Sequence, residues 1–226
     1  MYKRMAAIAC AGLAMSASAD VIDFSSLSHG EIVNSQFSSM GVNISAINFN
    51  QSFDLAVAFD TSLSGTADPD LEGPWSMGNT DLNTALGNVL IIQENDDIDP
   101  DDEGGRPAGQ LIFDFDMSIQ SFGFTVVDVE DSTSENSVIE FFSGGSLVGS
   151  INFDQFEAGG SNDFGAIYGN NSINLIGELS PGANFDQVVI TAGGSMGFDN
   201  VSFTVPAPGS LELFGLGVGA LARRRR

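Results

Sequence analysis

Residues 20–204 of this 226-residue chain are predicted to form an all-β domain, a β-sandwich of jelly-roll type. Many short runs of β-branched and aromatic residues are separated by Gly, Asn, Ser and Asp, the residue types that form turns. No stretch of this region sustains the 3.6-residue apolar period of an amphipathic helix. The pair Gly144-Gly145 lies between two apolar runs, as is typical of a β-hairpin turn.

The predicted strands follow one another through the domain without intervening helices. The first half contributes short runs at 21–24, 41–44, 55–59 and 89–92. The second half alternates more regularly, because Leu111, Phe113 and Phe115 point to one face and the residues between them to the other. After a break at Met117 and Ser118, the remaining strands are expected at 119–126, 138–142, 147–153, 172–176, 187–191 and 198–203.

Residues 1–19 have the pattern of a secretory signal peptide. Lys3 and Arg4 precede an apolar run at 5–15, and Ala17 and Ala19 have the small side chains and spacing that signal peptidase requires. The Sec translocon and signal peptidase are therefore expected partners, and the mature chain is expected to begin at Asp20. Cys10 follows too weak a lipobox to favour a lipoprotein. Cleavage removes this one cysteine, so the mature domain is expected to form no internal disulfide.

The mature domain is strongly acidic. Of the 30 acidic residues only Glu212 lies beyond residue 205, which leaves 29 acidic residues against the single basic residue Arg106, a formal charge of 28 negative. Such a field repels nucleic acid, so a nucleic-acid partner is excluded. It also destabilises a compact domain unless salt screens the charges or cations bind.

Two long acidic loops, at 60–87 and 95–108, carry the candidate metal ligands. Calcium takes six to eight oxygen ligands, and carboxylates in loops shaped by Pro and Gly supply them. The hypothesis of a calcium cofactor names the residues Asp68, Asp70, Asp99, Asp101, Asp102 and Glu103. The spacing does not match a helix-flanked calcium loop, because Asp102 falls at its glycine position when counted from Asp97. The alternative is a solvated acidic loop with no specific ion.

The segment 205–226 has the features of a membrane-sorting tail. The breaker Val205-Pro206-Ala207-Pro208 precedes an apolar run at 211–222, and the chain closes on Arg223, Arg224, Arg225 and Arg226. Prolines end a strand ladder, and an arginine cluster prefers the cytoplasmic side of a membrane. The 14 residues 209–222 span only about 21 Å as a helix, against a hydrocarbon core of about 30 Å. The alternatives are a plain tail anchor or a tail packed on the domain.

This tail resembles the PEP-CTERM sorting signal of Gram-negative bacteria, with Ala207 in the place of the glutamate. The resemblance implies that the tail holds an exported protein transiently at the inner membrane. An exosortase-like transpeptidase then cuts near the proline motif, and the protein reaches the cell surface or extracellular matrix. The order of the segments 60–61, 68–71, 88–92, 101–105 and 113–115 is also similar to that of PEP-CTERM ectodomains of unknown activity.

A second resemblance concerns the last predicted strand. The segment 198–203 is similar to the last strand of carbohydrate-binding jelly rolls. In those modules an Asp near this strand shares a calcium with an acidic residue near the first strand. The resemblance implies that Asp199, with Asp23, holds such an ion here.

The sequence favours a non-enzymatic exported protein. His29 is the single histidine, no Gly-x-Ser-x-Gly elbow accompanies it, and a zinc site lacks ligands. The first alternative is a carbohydrate-binding or adhesive module of the exopolysaccharide matrix, in which Trp75 stacks on sugar rings. Covering the core is the other role considered for Trp75. The second alternative is a glycosidase or lyase acting on polysaccharide, although abundant acids make any carboxylate pair uninformative.

Overall fold

The computed structural model describes residues 19–102 and 104–206, and in this part the all-β prediction is confirmed. Helical structure within these residues is confined to one short α-helix, α1 (Ser132–Glu135), and 3₁₀ turns at Ser38–Met40, Pro69–Leu71 and Phe153–Phe156. The remaining regular structure is twelve strands in two sheets. The predicted signal-peptide residue Ala17 and the tail residues from Ala207 onward, with Pro208 and Arg223, Arg224, Arg225 and Arg226, lie outside the described residues.

The larger sheet has seven strands. Its order is β3 (Ala56–Asp60), β5 (Asn88–Ile92), β12 (Gly197–Thr204), β7 (Ser121–Val127), β10 (Ser172–Leu179) and β4 (Met77–Gly78), and β1 (Ala19–Ile22) pairs with β12. The smaller sheet has five strands in the order β2 (Val42–Asn48), β6 (Gly109–Ile119), β11 (Phe185–Ala192), β8 (Val138–Ser143) and β9 (Ser146–Asn152). All pairings are antiparallel except that of β4 with β10.

The main core lies between the two sheets and is rich in phenylalanine. Alternate residues of β2 and β6 point inward, as their sequence alternation predicts. Rings from opposite sheets touch edge to face, with centroids 5.4 Å apart for Phe113 and Phe122. Phe115 and Phe203 also pack across the gap between the sheets, with tilted rings whose centroids are 5.1 Å apart. Each such buried ring stabilises the fold by about 1.5–3 kcal/mol relative to an exposed one.

The outer face of the seven-stranded sheet is also covered. A second apolar cluster places Phe59, Ile91 and Val127 of the sheet against Leu71 and Trp75 of the long loop between β3 and β5. Strands β5 and β7 are consequently buried on both faces. In β5 this agrees with the continuous apolar run at 89–92, whereas β7 fills its second face partly with the small residues Ser121, Gly123 and Thr125. The loop that carries Asp68 is therefore anchored by its own apolar side chains.

The boundary expected at Met117 and Ser118 is wrong. Strand β6 continues through both residues to Ile119, and the chain passes to the other sheet at Gln120. The backbone N–H of Gln120 donates to the carbonyl of Thr204 at 2.8 Å, so even the crossing residue keeps a backbone partner. The hairpin prediction is confirmed, because Gly144 and Gly145 join β8 to β9 with φ of 54° and 78°.

The sandwich has two ends, which the register of β12 defines. Thr204 pairs with Ser121 on one side and Ala19 on the other, so β1 begins where β12 finishes. We call this the terminal end. Gly197 pairs with Val127 at the opposite end, where the acidic loops meet. We call that the acidic end.

Candidate functional site

Three acidic side chains and one serine converge at the acidic end in what we call the carboxylate cluster. It comprises Asp68, Asp102, Asp128 and Ser195. The exposed fractions are 0% for Asp68, 2% for Asp102, 0% for Asp128 and 2% for Ser195. Burial of this kind is rare for aspartate unless the charge is paired or coordinated.

Asp68 is positioned by the 3₁₀ turn Pro69–Leu71. Its Oδ1 accepts a hydrogen bond from the backbone N–H of Asp70 at 3.2 Å, as a helix-capping residue does. Pro69 occupies the first position of the turn, and Leu71 is fully buried in the outer apolar cluster. A local capping motif and an apolar anchor therefore hold this carboxylate inside the protein.

Asp128 and Ser195 come from connections that sequence reasoning did not single out. Asp128 follows β7 in the left-handed region, with φ of 57°, and its backbone N–H donates to Ser172 at 2.9 Å. Ser195 follows Gly193 and Gly194 in the turn between β11 and β12. A Cβ on Gly193 would lie 1.9 Å from the backbone oxygen of Glu135, so only glycine permits this close approach.

One hydroxyl group lies between two of the carboxyl groups. The Oγ of Ser195 is 2.7 Å from Oδ1 of Asp102 and 2.8 Å from Oδ2 of Asp128. A serine hydroxyl has one proton to donate, so only one of these contacts is a donation from serine. The other requires a proton on the carboxyl group. The remaining oxygens accept backbone N–H groups, from Met196 for Asp102 at 2.9 Å and from Asn171 for Asp128 at 2.6 Å.

The electrostatics of the cluster agree with this proton requirement. Burial raises the pKa of Asp102 well above its ordinary value, and the neighbouring Asp68 and Asp128 raise it further by repulsion. Burial also raises the pKa of Asp128 to about 8, against hydrogen bonds from Asn171 and Ser195 that lower it. Without a cation, burial and mutual repulsion therefore favour the protonated form of these carboxyl groups, which supplies the proton that the second contact of Ser195 requires.

No described cationic side chain serves the cluster. The guanidinium of Arg106 donates to the carboxylates of Glu130 and Glu135 instead. The Nε2 of His29 lies 3.1 Å from Oδ1 of Asp99, and its Nδ1 accepts the backbone N–H of Asp60 at 3.1 Å. Both ring nitrogens of His29 are thus used in joining loops.

The structure separates the predicted metal ligands into different places. Asp68 and Asp102 belong to the carboxylate cluster, and Asp70 lies near enough to raise the pKa of Asp128. Asp99 lies apart, because its Oδ2 accepts the backbone N–H of Ala67 at 3.0 Å while its Oδ1 faces His29. Asp101 accepts the backbone N–H of Glu94 through its carbonyl oxygen at 2.7 Å. Glu103 lies outside the described residues.

Glu94 is a further buried acid beside Asp101. Burial raises the pKa of Glu94, and repulsion from Asp101 contributes. Its Oε2 accepts the backbone N–H of Gly105, whereas Oε1 has no hydrogen-bond partner among the described residues. This carboxyl group was not singled out from the sequence.

Asp199 lies along β12, away from the cluster and close to Asp23. Burial raises the pKa of Asp199 to about 7, and repulsion from Asp23 contributes to the rise. Its Oδ2 accepts the side-chain N–H of Asn200 at 2.9 Å. Asp23 and Asp199, the two acids of the second resemblance, therefore lie close together, and calcium binding by them stays a prediction.

Trp75 covers the outer core. The indole is 4% exposed, packs in the outer apolar cluster and donates from Nε1 to the carbonyl of Thr84 at 3.0 Å. The hypothesis that Trp75 stacks on sugar rings disagrees with this burial, because neither ring face is open to a ligand. The other role considered for Trp75, a lid over the core, agrees with its position.

The cluster supplies oxygen ligands only, which suits a hard cation such as calcium. Within residues 19–102 and 104–206, however, no group of three or more His, Cys, Asp or Glu side chains has the arrangement of a metal site. The physical reason is visible in the contacts, since Asp102 and Asp128 turn their oxygens toward Ser195 and backbone N–H groups rather than toward a common centre. The residue types suit calcium as ligands. The present orientation of the side chains instead suits protonated carboxyl groups that form hydrogen bonds.

Comparison with known proteins adds no assignment. No protein-family model matches the chain, and neither a curated protein nor a solved structure matches it. Within the part of the chain that the structure describes, no helix is long and apolar enough to cross a membrane.

Proposed function

We propose that this is a non-enzymatic exported protein whose β-sandwich is stabilised by calcium at the carboxylate cluster. The observation that carries the proposal is the burial of Asp68, Asp102 and Asp128 together without a cationic side chain among the described residues. Calcium supplies the positive charge that the cluster lacks. Its ligands are the three carboxylates and the hydroxyl oxygen of Ser195, after the side chains give up their protons and turn inward.

The jelly-roll architecture and the sorting route belong to the same proposal. The chain passes from one sheet to the other between β6 and β7 and again at β11 and β12, which supports a jelly roll over a simple meander. The tail, with Val205, Pro206, Ala207 and Pro208 before an apolar run and four arginines, supports sorting by an exosortase-like transpeptidase to the cell surface or matrix. The net negative charge of the domain supports cation binding.

The calcium part is tested by thermal unfolding in EDTA and in excess calcium. A ligand at about 100 times its dissociation constant stabilises the native state by about 2.7 kcal/mol. For a domain of this size we expect Tm to rise by roughly 5–10 °C in calcium. Magnesium is the comparison ion, because it requires stricter octahedral geometry and should raise Tm less.

Two matched substitutions decide whether the ion binds at this site. Asp128→Asn removes one buried carboxylate, and we expect it to abolish the rise in Tm. Asp96→Asn removes the same charge from an exposed position in the neighbouring loop and should leave the rise intact. An unchanged Tm in calcium for the wild type, or equal loss in both variants, would contradict the proposal.

The sorting part is tested by mass spectrometry of protein released from cells that express the full chain. We expect released protein to begin at Asp20 and to lack Arg223, Arg224, Arg225 and Arg226, which distinguishes cleavage from a lasting anchor. Released protein that retains the arginines would contradict sorting by cleavage and leave the calcium result unaffected.

A further inference from the structure

The described chain enters and leaves the sandwich at the same place. Ala19 pairs with Thr204 in the ladder between β1 and β12, and Ser121 pairs with Thr204 from the other side. The eight residues of β12 (Gly197–Thr204) separate this terminal end from the acidic end by about 26 Å, at about 3.3 Å per residue.

The connections at the terminal end carry almost no charge. The segments 34–41, 143–146 and 180–184 contain no acidic or basic residue. A shallow open pocket here is lined only by uncharged residues, Gln120, Ser180, Gly182, Ala183 and Asn184. Four acidic residues lie beside these connections, namely Asp20, Asp116, Glu178 and Asp186. The backbone N–H of Asp116 donates to the carbonyl of Gly41 at 2.8 Å, and the carboxylate of Asp186 accepts the backbone N–H of Gly144 at 3.0 Å.

The opposite end has the reverse composition. The segments 93–107 and 128–137 hold seven and four acidic residues, eleven in all, against the single base Arg106. Both segments begin where strands of the seven-stranded sheet finish, next to the carboxylate cluster. The net negative charge of the domain is thus concentrated away from the end where the chain leaves.

The tail places the domain, with its uneven distribution of charge, close to a bilayer. Six residues, 205–210, connect β12 to the apolar run, and they reach at most about 21 Å when fully extended. The potential of an anionic lipid surface decays within a Debye length of about 8–10 Å. The domain lies within that potential whenever this connection is less than half extended, and acidic loops turned toward the lipid are then repelled.

We infer that the terminal end is a membrane-facing surface, which lies against anionic lipid headgroups while the tail is inserted and directs the carboxylate cluster away from the bilayer. This inference rests on the proposed sorting function. The lipid surface needs no specific pocket, because a face with few acidic residues is repelled less by anionic headgroups than the acidic end is.

Energy transfer from the protein to the membrane tests the orientation. The expected mature chain, residues 20–226, contains no cysteine, and a donor dye is placed through Ser39→Cys at the terminal end or Thr133→Cys at the acidic end. Both side chains are exposed. The protein is inserted in vesicles of phosphatidylethanolamine and phosphatidylglycerol that contain an acceptor-labelled lipid.

We expect the dye at residue 39 to transfer several-fold more energy than the dye at residue 133, because the two lie at opposite ends of the sandwich. Equal transfer, or stronger transfer from residue 133, overturns the inference. Protein that does not float with the vesicles shows that the tail is not inserted, which removes the sorting function and this inference together.

A charge variant separates electrostatic orientation from simple tethering. Ser39→Glu, Ser146→Glu and Asn184→Glu add three acids to the terminal end at exposed positions. With the dye at residue 133 held constant, we expect this variant to gain transfer at low salt and to lose the gain at high salt. If energy transfer at low salt does not change, the shortage of acidic residues at the terminal end does not set the orientation.

Discussion

Two groups of buried carboxylates at the acidic end are neutralised in different ways. The side chain of Glu135 is 2% exposed and pairs with Arg106, whose own side chain is 47% exposed. Asp102 and Asp128 are equally buried, but they lie beside Ser195 and each other instead of beside a basic side chain. The domain has one arginine and assigns it to Glu135, so the aspartates depend on protons or a metal ion. Burial raises the pKa of Glu135 as well, against hydrogen bonding and attraction from Arg106 that lower it, so the two groups should differ mainly in their response to calcium.

The largest expected effect is a dependence of stability on pH that calcium removes. The folded-state pKa of Asp128 is about 8 and that of Asp102 is also raised, whereas both are near 3.9 in the unfolded chain. The folded state therefore binds more protons, and its stability is lost as pH rises through the folded pKa. In EDTA we expect unfolding free energy to fall by on the order of 3 kcal/mol from pH 5 to pH 8.

Urea denaturation across this pH range measures the fall, and general repulsion between surface acids needs a control. Asp102→Asn with Asp128→Asn should flatten most of the dependence, while Asp96→Asn with Asp97→Asn should not. In calcium the wild type should lose the fall as well, because the ion binds the deprotonated carboxylates. Stability that rises with pH in EDTA would contradict the assignment of protons to this cluster.

Removing Arg106 should destabilise the protein at the other buried carboxylate, Glu135. Arg106→Met leaves the buried Glu135 without its partner, and because Arg106 is half-exposed we expect a cost of about 2 kcal/mol at pH 7, below that of a fully buried pair. Adding Glu135→Gln should restore most of it. The rise in Tm with calcium should persist in both variants. Loss of that rise would show that Arg106 and the carboxylate cluster act as one unit.

Ser195→Ala should have an intermediate effect. It removes the hydroxyl that Asp102 and Asp128 share, and we expect a cost of about 1–2 kcal/mol in EDTA. Ser134→Ala, at an exposed position in α1, is the matched control and should cost little. Equal costs measured by chemical denaturation would mean that the bridging contact has no energetic role.

Asp199→Asn should have the smallest effect. Asp199 has a pKa of about 7, so in EDTA the variant should be more stable than the wild type, and more so at pH 8 than at pH 5, because the wild type loses a bound proton between these values. If Asp23 and Asp199 instead hold calcium, as their resemblance to carbohydrate-binding modules implies, the variant loses stability in calcium. Denaturation in the two conditions separates these outcomes.

The sequence predicted the sheets better than the site. Alternation in β2 and β6 and the Gly144-Gly145 turn are local signals, and the structure agrees with them. The passage at Gln120 was misplaced, because Met117 and Ser118 read as a break although they continue β6 in an exposed position. The residue at which the chain passes from one sheet to the other is set by tertiary strand pairing, which no local sequence pattern reports.

Acidic composition located the loops but not the ligands. Asp68 and Asp102 were named from composition, whereas Asp128 and Ser195 depend on which strand ends become neighbours in the sheet. The one local signal for Asp128 was its position as an acidic residue directly after the two valines that end β7. Asp99 was named on the same grounds as Asp102, yet it faces His29 because the loop turns back over the edge of β3.

The pairing of β1 with β12 also bears on the order of assembly. The strand nearest the start of the described chain is held by the strand nearest its end. Contacts between residues this distant in sequence form late and slowly. Strand β1 therefore joins the seven-stranded sheet only after β12 has been synthesised. A polypeptide with this arrangement stays open along one edge while it folds, and the sheet is complete only when its last strand pairs with its first.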